Sequence, residues 1–130
     1  MMRVLIVDDE QEFLELMAKR LTKRGFTVIT ADDGPKALAK VQESLAAGPE
    51  DSLNVAIMDV RMPGMDGLET LREMKKIAPH IPVILLTGHA AVGVAMEGLE
   101  LGAFDYMLKP VPLEELIDKM HEAIQASQAS

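Results

Sequence analysis

Apolar residues along this chain form short runs that alternate with segments of helical periodicity. The clearest runs cover residues 4–7, 55–58, 83–86 and 104–108, and residues 27–31 have the β-branched composition of a strand. Apolar runs of this length, bounded by polar residues, are typical of strands buried on both faces of a parallel sheet. The pattern therefore predicts five strands.

Between these runs, apolar residues recur every three or four positions, which predicts helices. The first helix covers residues 11–24 and ends at Gly25, and the fourth covers roughly 90–101, where Gly93 and Gly98 weaken it. The predicted inner faces of the second, third and last helices are Ala37, Leu38, Val41 and Leu45; Leu68, Leu71, Met74 and Ile77; and Leu113, Leu116, Ile117, Met120 and Ile124.

Strict alternation of strands and helices predicts one α/β domain, because right-handed crossovers place the helices on both faces of a parallel sheet. We expect a flavodoxin-like, doubly wound sheet of five strands in the order 2-1-3-4-5, with five helices. Residues 1–125 form the domain, Pro63-Gly64 makes a turn, and residues 126–130 form a disordered polar tail.

The composition of the chain limits the functions that it can have. A chain of 130 residues with 48% hydrophobic positions suits a single domain, and a net charge of −8 would repel nucleic acid. No cysteine is present, which excludes disulfides and thiolate chemistry and is compatible with the reducing cytoplasm. The first apolar run is too short for a signal peptide or a membrane span.

Chemically active residues stand where the predicted strands end. Asp8 and Asp9 follow the first strand, Asp59 ends the third, Thr87 the fourth and Lys109 the fifth. The carboxyl ends of parallel strands meet at one edge of a sheet, where ligands bind in open α/β folds. We therefore expect these five side chains to converge there.

Three neighbouring carboxylates repel one another unless a proton or a cation compensates them. Mg²⁺ is the natural cation, because it prefers oxygen ligands. Asp9 and Asp59 are the expected direct ligands, together with a backbone carbonyl just after Asp59, at Arg61, and with Asp8 acting through water. Helix capping by Asp8 is the alternative interpretation of that residue alone.

An aspartate beside Mg²⁺ can also attack phosphorus and form an aspartyl phosphate. Asp59 is the candidate nucleophile. Lys109 would then contribute a positive charge and Thr87 a hydroxyl to the phosphoryl oxygens. In isolation, Thr87 would be an ordinary turn residue and Lys109 an ordinary exposed lysine.

Four motifs occur in order along nearly the whole chain: DDE at 8–10, DVRMPGMDG at 59–67, LTGHA at 86–90 and GAFDYMLKP at 102–110. With these motifs the sequence resembles the receiver domains of two-component response regulators, of the kind found in chemotaxis regulators.

The resemblance implies that Asp59 accepts a phosphoryl group from a sensor histidine kinase or a phosphotransfer protein, with Mg²⁺ as cofactor. It implies that Thr87 and Tyr106 report the modification and that Arg61 and His89 control the access of water to the acyl phosphate. The fourth helix, fifth strand and last helix would then form the face that controls an output domain or a partner protein. Such a chain catalyses only its own phosphorylation and dephosphorylation, binds neither nucleic acid nor membrane, and is a monomer or a phosphorylation-dependent homodimer.

Other functions remain open at this point. A Mg²⁺-dependent phosphohydrolase acting through an aspartyl phosphate shares the nucleophile, but it commonly has an acid at the position of Arg61. A flavodoxin-type module would need a phosphate cradle where Asp8 and Asp9 stand, and a receiver that signals without phosphorylation is a third alternative. The chain is either a stand-alone receiver or part of a longer regulator. The residues that make up its motifs favour the receivers of transcriptional regulators.

Overall fold

A computed structural model describes residues 2–61 and 66–128 of the chain. Five parallel strands form one sheet in the order β2-β1-β3-β4-β5, as predicted. The strands are β1 (Arg3–Val7), β2 (Thr27–Ala31), β3 (Val55–Asp59), β4 (Val83–Thr87) and β5 (Asp105–Leu108). The doubly wound α/β fold predicted from the alternation of elements is therefore confirmed.

Five α-helices connect and flank the strands. They are α1 (Gln11–Lys23), α2 (Gly34–Ala47), α3 (Gly67–Ile77), α4 (Val92–Glu100) and α5 (Leu113–Gln128), with short 3₁₀ turns at Pro49–Asp51 and His89–Ala91. The predicted turn at Pro63-Gly64 lies outside the described residues. None of the helices in the described part of the chain is long and apolar enough to cross a membrane.

Each face of the sheet is covered by its own apolar core, because side chains of successive strand residues point to opposite faces. In β1, Leu5 and Val7 belong to the core beneath α2, α3 and α4. Val4 and Ile6 belong to the core beneath α1 and α5. The central strands β1, β3 and β4 are buried almost throughout, so their chemistry is presented at the strand ends.

The end of α2 differs from the prediction. Leu45, expected on the inner face, is 41% exposed, whereas Ser44 is buried. The Ser44 hydroxyl accepts a hydrogen bond of 2.7 Å from the backbone N–H of Leu53, just before β3. A buried N–H needs such a partner. Ser44, three residues after the buried Val41, therefore continues the inner face of α2 in place of Leu45.

The C-terminus also differs, because α5 continues through Gln128. Residues 126–128, expected in the polar tail, are thus helical. Alanine and glutamine favour helix, and the Ser127 hydroxyl donates to the carbonyl of Ile124. The last two residues of the expected tail lie outside the described residues.

Candidate functional site

The carboxyl edge of the sheet holds one ammonium group among three carboxylates. Lys109, directly after β5, donates to Asp8 Oδ2 at 2.7 Å and to Asp59 Oδ2 at 3.3 Å. It also donates to Glu10 Oε1 at 3.3 Å. Because β1 and β3 are neighbours in the sheet, their terminal aspartates approach each other although about fifty positions separate them.

Asp8 is the most deeply buried acid of the site, with no exposed surface. Its Oδ1 accepts a hydrogen bond of 2.9 Å from the backbone N–H of Glu10, and its Oδ2 accepts from Lys109. Burial raises the pKa of the Asp8 carboxyl above its ordinary value, and these hydrogen bonds offset the rise only in part. Asp8 therefore depends on Lys109 for the compensation of its charge.

Lys109 is fixed from the side of α1 as well. Its Nζ lies 4.5 Å from the centroid of the Phe13 ring, within the range of a cation–π contact. Burial alone would lower the pKa of the Lys109 ammonium, but the hydrogen bond to Asp8 and the charges of Asp8 and Asp59 outweigh it and raise this pKa. The lysine is consequently held in its charged form.

Asp59 combines burial with an open approach. Its side chain is 12% exposed, and its Oδ1 accepts a hydrogen bond of 3.1 Å from the backbone N–H of Arg61. The carboxylate lies at a pocket of about 300 Å³, which is lined by Glu10, Asp59, Val60, Arg61, Gly88, Ala90, Ala91 and Lys109. A small anionic group therefore has room beside Asp59.

Gly67, the first residue of α3, allows the backbone of the site to pass close to this helix. A Cβ at this position would lie 2.5 Å from the carbonyl oxygen of Asp59 and 2.7 Å from the Cα of Val60. The Gly67 N–H instead donates to the carbonyl of Val60 at 3.1 Å. The absence of a side chain thus fixes the position of the strand end that carries Asp59.

The acids that cluster are not the three that the sequence singled out. Carboxylate oxygens of Asp8, Glu10 and Asp59 all lie within 4.8 Å of one another, whereas Asp9 is exposed and is not one of the group. Three carboxylates at this spacing form a donor set of hard oxygens, which suits Mg²⁺.

The remaining candidates lie in or just beyond β3, β4 and β5. Thr87 is 1% exposed, and its hydroxyl donates to the carbonyl of Gly88 at 3.0 Å. Tyr106 in β5 is partly buried and packs against the core beneath α4. Arg61 and His89 are exposed, each just beyond a strand end.

Sequence reasoning missed Glu10, Phe13 and Gly67 as parts of the site. Glu10 had a usable signal, since it continues the acidic run at the end of β1. Phe13 is one of the apolar residues that recur at helical spacing in α1, and periodicity alone does not indicate that its ring touches a lysine about a hundred positions away. For Gly67, only the distance between α3 and β3 reveals its role.

Comparison with known proteins agrees with this geometry. Residues 4–121 match the family model described as response regulator receiver domain. A crystal structure of a response regulator receiver domain protein from Clostridium thermocellum superposes with a TM-score of 0.91 at 34% identity, covering 99% of this chain and 98% of that one.

Curated relatives are longer proteins. The response regulator MprA of Mycobacterium ulcerans (strain Agy99) is 36% identical over 126 residues, covering 97% of this chain and 51% of that protein. The regulatory protein AtoC of Escherichia coli (strain K12) is 39% identical over 123 residues, covering 95% of this chain and 25% of that protein. The chain thus spans between a quarter and about half of these relatives. With its sheet order, its strand-end cluster and these matches, the chain belongs to the family of response regulator receiver domains, the signalling domains of two-component systems.

Proposed function

We propose that Asp59 is the phosphoacceptor of this receiver domain. The observation that supports this assignment most strongly is the combination of a mostly buried Asp59 carboxylate, an adjoining pocket of about 300 Å³ and the Lys109 ammonium 3.3 Å away. The phosphohydrolase alternative is not supported, because the chain belongs to the receiver family and Arg61 occupies the position of that enzyme's second acid.

In the proposed reaction, an oxygen of Asp59 attacks the phosphorus of a phosphohistidine on a sensor kinase or phosphotransfer protein. The P–O bond forms as the P–N bond breaks, and the imidazole nitrogen keeps the electron pair. The Lys109 ammonium balances the charge of the phosphoryl oxygens. The Thr87 hydroxyl, now bonded to the Gly88 carbonyl, turns toward the phosphoryl group and donates to it.

Receiver domains generally bind Mg²⁺ at an acidic pocket, and the donor set of this chain fits that ion. We propose Asp9, Asp59 and the backbone carbonyl of Arg61 as ligands, with Asp8 acting through water and Glu10 as an additional candidate. Asp9, which is exposed and outside the carboxylate cluster, would have to turn toward the ion to bind it. When bound, the ion supplies positive charge that compensates the carboxylates and the incoming phosphoryl oxygens.

Arg61 lines the pocket, and His89 stands in the chain between two residues that line it. Both are exposed, and they are proposed to shield the acyl phosphate from water. Replacing both with alanine should shorten the lifetime of the phosphorylated form. The lifetime is measured as the decay of the mass increase after the phosphodonor is removed, and an unchanged lifetime would contradict the shielding role.

The output is proposed to lie on the face formed by α4, β5 and α5. This face carries large exposed apolar side chains, Met96 at 55% and Leu99 at 37% exposure. Tyr106 lies in β5, one of the elements of this face, and we propose that it turns further inward when Thr87 moves. A partner with different affinity for the two states would then read the modification.

Receiver domains pair with histidine kinases. We propose that this chain has one particular kinase as its partner, that it controls an output domain, and that it changes between monomer and homodimer. We also propose that it catalyses only its own phosphorylation and dephosphorylation, and that it works in the cytoplasm, with which the lack of cysteine is compatible.

The test is incubation with Mg²⁺ and acetyl phosphate, followed by measurement of the intact mass. The wild-type chain should gain one phosphoryl group, and the gain should disappear with a chelator or in Asp59→Asn. Asp51→Asn, which removes an exposed acid at a 3₁₀ turn, is the matched control and should be phosphorylated normally. Equal labelling of Asp59→Asn would overturn the assignment.

A further inference from the structure

We propose that the groove between β5 and α5 binds an extended segment of a partner protein that is rich in lysine or arginine. The groove, called here the β5 groove, has a volume of about 760 Å³. All four residues of β5, Asp105–Leu108, line it in succession. Because side chains of successive strand residues alternate between faces, a lining by consecutive residues means that the groove follows the edge of the strand.

No second strand pairs with this edge within the described part of the chain; of the β5 backbone groups, the N–H of Tyr106 is bonded to Oδ1 of Asp105 at 2.8 Å, and an added strand would pair with those that remain. β5 is the last strand in the sheet order, and β4 is its only partner strand there. A free edge offers backbone N–H and C=O groups that an added strand can pair with, and such pairing is a common mode of peptide binding. An extended segment therefore matches the shape of the β5 groove and its backbone groups.

Charge determines the chemistry of that segment. Four carboxylates line the β5 groove, those of Asp105, Glu115, Asp118 and Glu122. One cation, Lys119, lines it with them and lies 2.8 Å from Asp105 and 3.4 Å from Glu122. Negative charge remains in excess, so alternating cations on an added strand would be complementary to it.

The same charges disfavour a second copy of this chain in the β5 groove. A two-fold contact would place the four carboxylates against their own counterparts, in a chain that already carries a net charge of −8. Acids beside an edge strand can also serve simply to prevent edge-to-edge aggregation. Binding of a basic strand distinguishes these roles, because a purely protective edge would not pair with it.

Binding of the segment to the β5 groove does not itself require phosphorylation. Its role in transmitting the phosphorylation signal rests on the proposed function. A strand added to β5 would lie next to Tyr106, the residue proposed to change position with Thr87. The affinity of the β5 groove would thereby depend on the state of Asp59.

The test uses a blocked, fluorescent peptide of alternating lysine and valine, about eight residues long, and measures its binding to the full chain by fluorescence anisotropy. Glu115→Gln combined with Asp118→Asn should raise Kd about threefold to tenfold, since two exposed ion pairs are lost. The matched control, Glu50→Gln with Glu69→Gln, removes two exposed acids elsewhere and should leave Kd unchanged. The same peptide N-methylated at every residue should not bind, because neither of its edges keeps an N–H that can pair with β5.

Three results would overturn the proposal. One is equal binding of the N-methylated peptide, which would exclude strand pairing. Another is equal weakening in the Glu50/Glu69 control, which would mean general attraction to an acidic protein. The third is a dimer in sedimentation that the peptide dissociates, which would make a second copy the occupant. Both double variants should still accept a phosphoryl group at Asp59, so a failure of the groove is distinguishable from a failure of the proposed function.

Discussion

Lys109 is the residue on which the arrangement of the site depends. One ammonium compensates three carboxylates, of which Asp8 is completely buried. A buried charge that loses its partner is strongly destabilising, whereas an exposed acid such as Glu10 loses little. The contact between Lys109 and Asp8 should therefore dominate the contribution of the cluster to stability.

Lys109→Met, measured by chemical denaturation in the presence of a chelator, should lower the free energy of unfolding by about 2 kcal/mol. In an Asp8→Asn background the same substitution should cost less than half as much, because no buried charge is then left unpaired. Equal costs in the two backgrounds would show that the ion pair with Asp8 is not the source of the effect.

Lys75 provides a test of pH dependence away from the acidic cluster. Its Nζ donates to the carbonyl of Ile81 at 2.9 Å, and burial lowers the pKa of the ammonium below its ordinary value of 10.5. The unfolded chain therefore binds the Lys75 proton more tightly than the folded chain does. The contribution of Lys75 to stability is complete above pH 10.5, and it is lost as the pH falls through the pKa of Lys75 in the folded state.

The difference in unfolding free energy between the wild type and Lys75→Met should accordingly shift in favour of the wild type as the pH rises toward 10.5. Denaturation curves of both proteins at several pH values between 7 and 10.5 measure this. If the advantage of the wild type over Lys75→Met in unfolding free energy fell with rising pH, the pKa of Lys75 would be raised, not lowered, in the folded state.

At this scale the sequence predicted some contacts and missed others. Asp8, Asp59 and Lys109 stand at the carboxyl ends of parallel strands, so their meeting could be expected from parallel topology alone. The place of Asp9 outside the carboxylate cluster, and of Glu10 within it, depends on the path of the chain between β1 and α1. No pattern of apolar positions specifies that path.

Among the secondary-structure elements, α4 is the most weakly determined by its sequence. It has nine residues, and no side chain caps its start. Its two glycines stand in different surroundings. A Cβ on Gly93 would meet nothing within 4 Å, whereas a Cβ on Gly98 would lie 2.3 Å from Cδ1 of the fully buried Leu85. Gly98 thus allows α4 to pack against β4, and Gly93 only loosens the helix.

Gly93→Ala should raise the free energy of unfolding by up to about 1 kcal/mol, because alanine is the better helix former. Gly98→Ala should lower it by about 1–3 kcal/mol through overpacking against Leu85. Thermal or chemical denaturation of the two variants measures both effects. A stabilised Gly98→Ala variant would contradict the close packing of α4 on the sheet.

The central strands β1, β3 and β4 were predictable as elements because nearly complete burial makes their sequences apolar almost without interruption. The edge strands β2 and β5 are only partly buried, and their sequences are more mixed. The ends of the helices were less predictable than the strands. Ser44 and Leu45 show why: near the end of α2 the buried position is taken by Ser44, which accepts a hydrogen bond from the Leu53 N–H, and not by the apolar Leu45. Such a hydrogen bond is a tertiary contact and leaves no periodic signal.

At the scale of the whole molecule, the parallel sheet collects charge at one edge. Two cores bury both faces, so chemistry is confined to the strand ends and to the free edge at β5. A phosphoryl group would add about −1.5 to −2 charges to a chain that carries −8. The charge would arrive beside Lys109 and Thr87, at the ends of the two strands nearest the β5 groove.

Chemical location of the phosphoryl group tests the central claim most directly. The protein is treated with Mg²⁺ and acetyl phosphate, then with borohydride, which reduces an acyl phosphate on aspartate to the alcohol of homoserine, and its peptides are sequenced by mass spectrometry. Homoserine should replace aspartate at position 59 and at no other position. Homoserine at position 8 or 9, with Asp59 unchanged, would contradict the account.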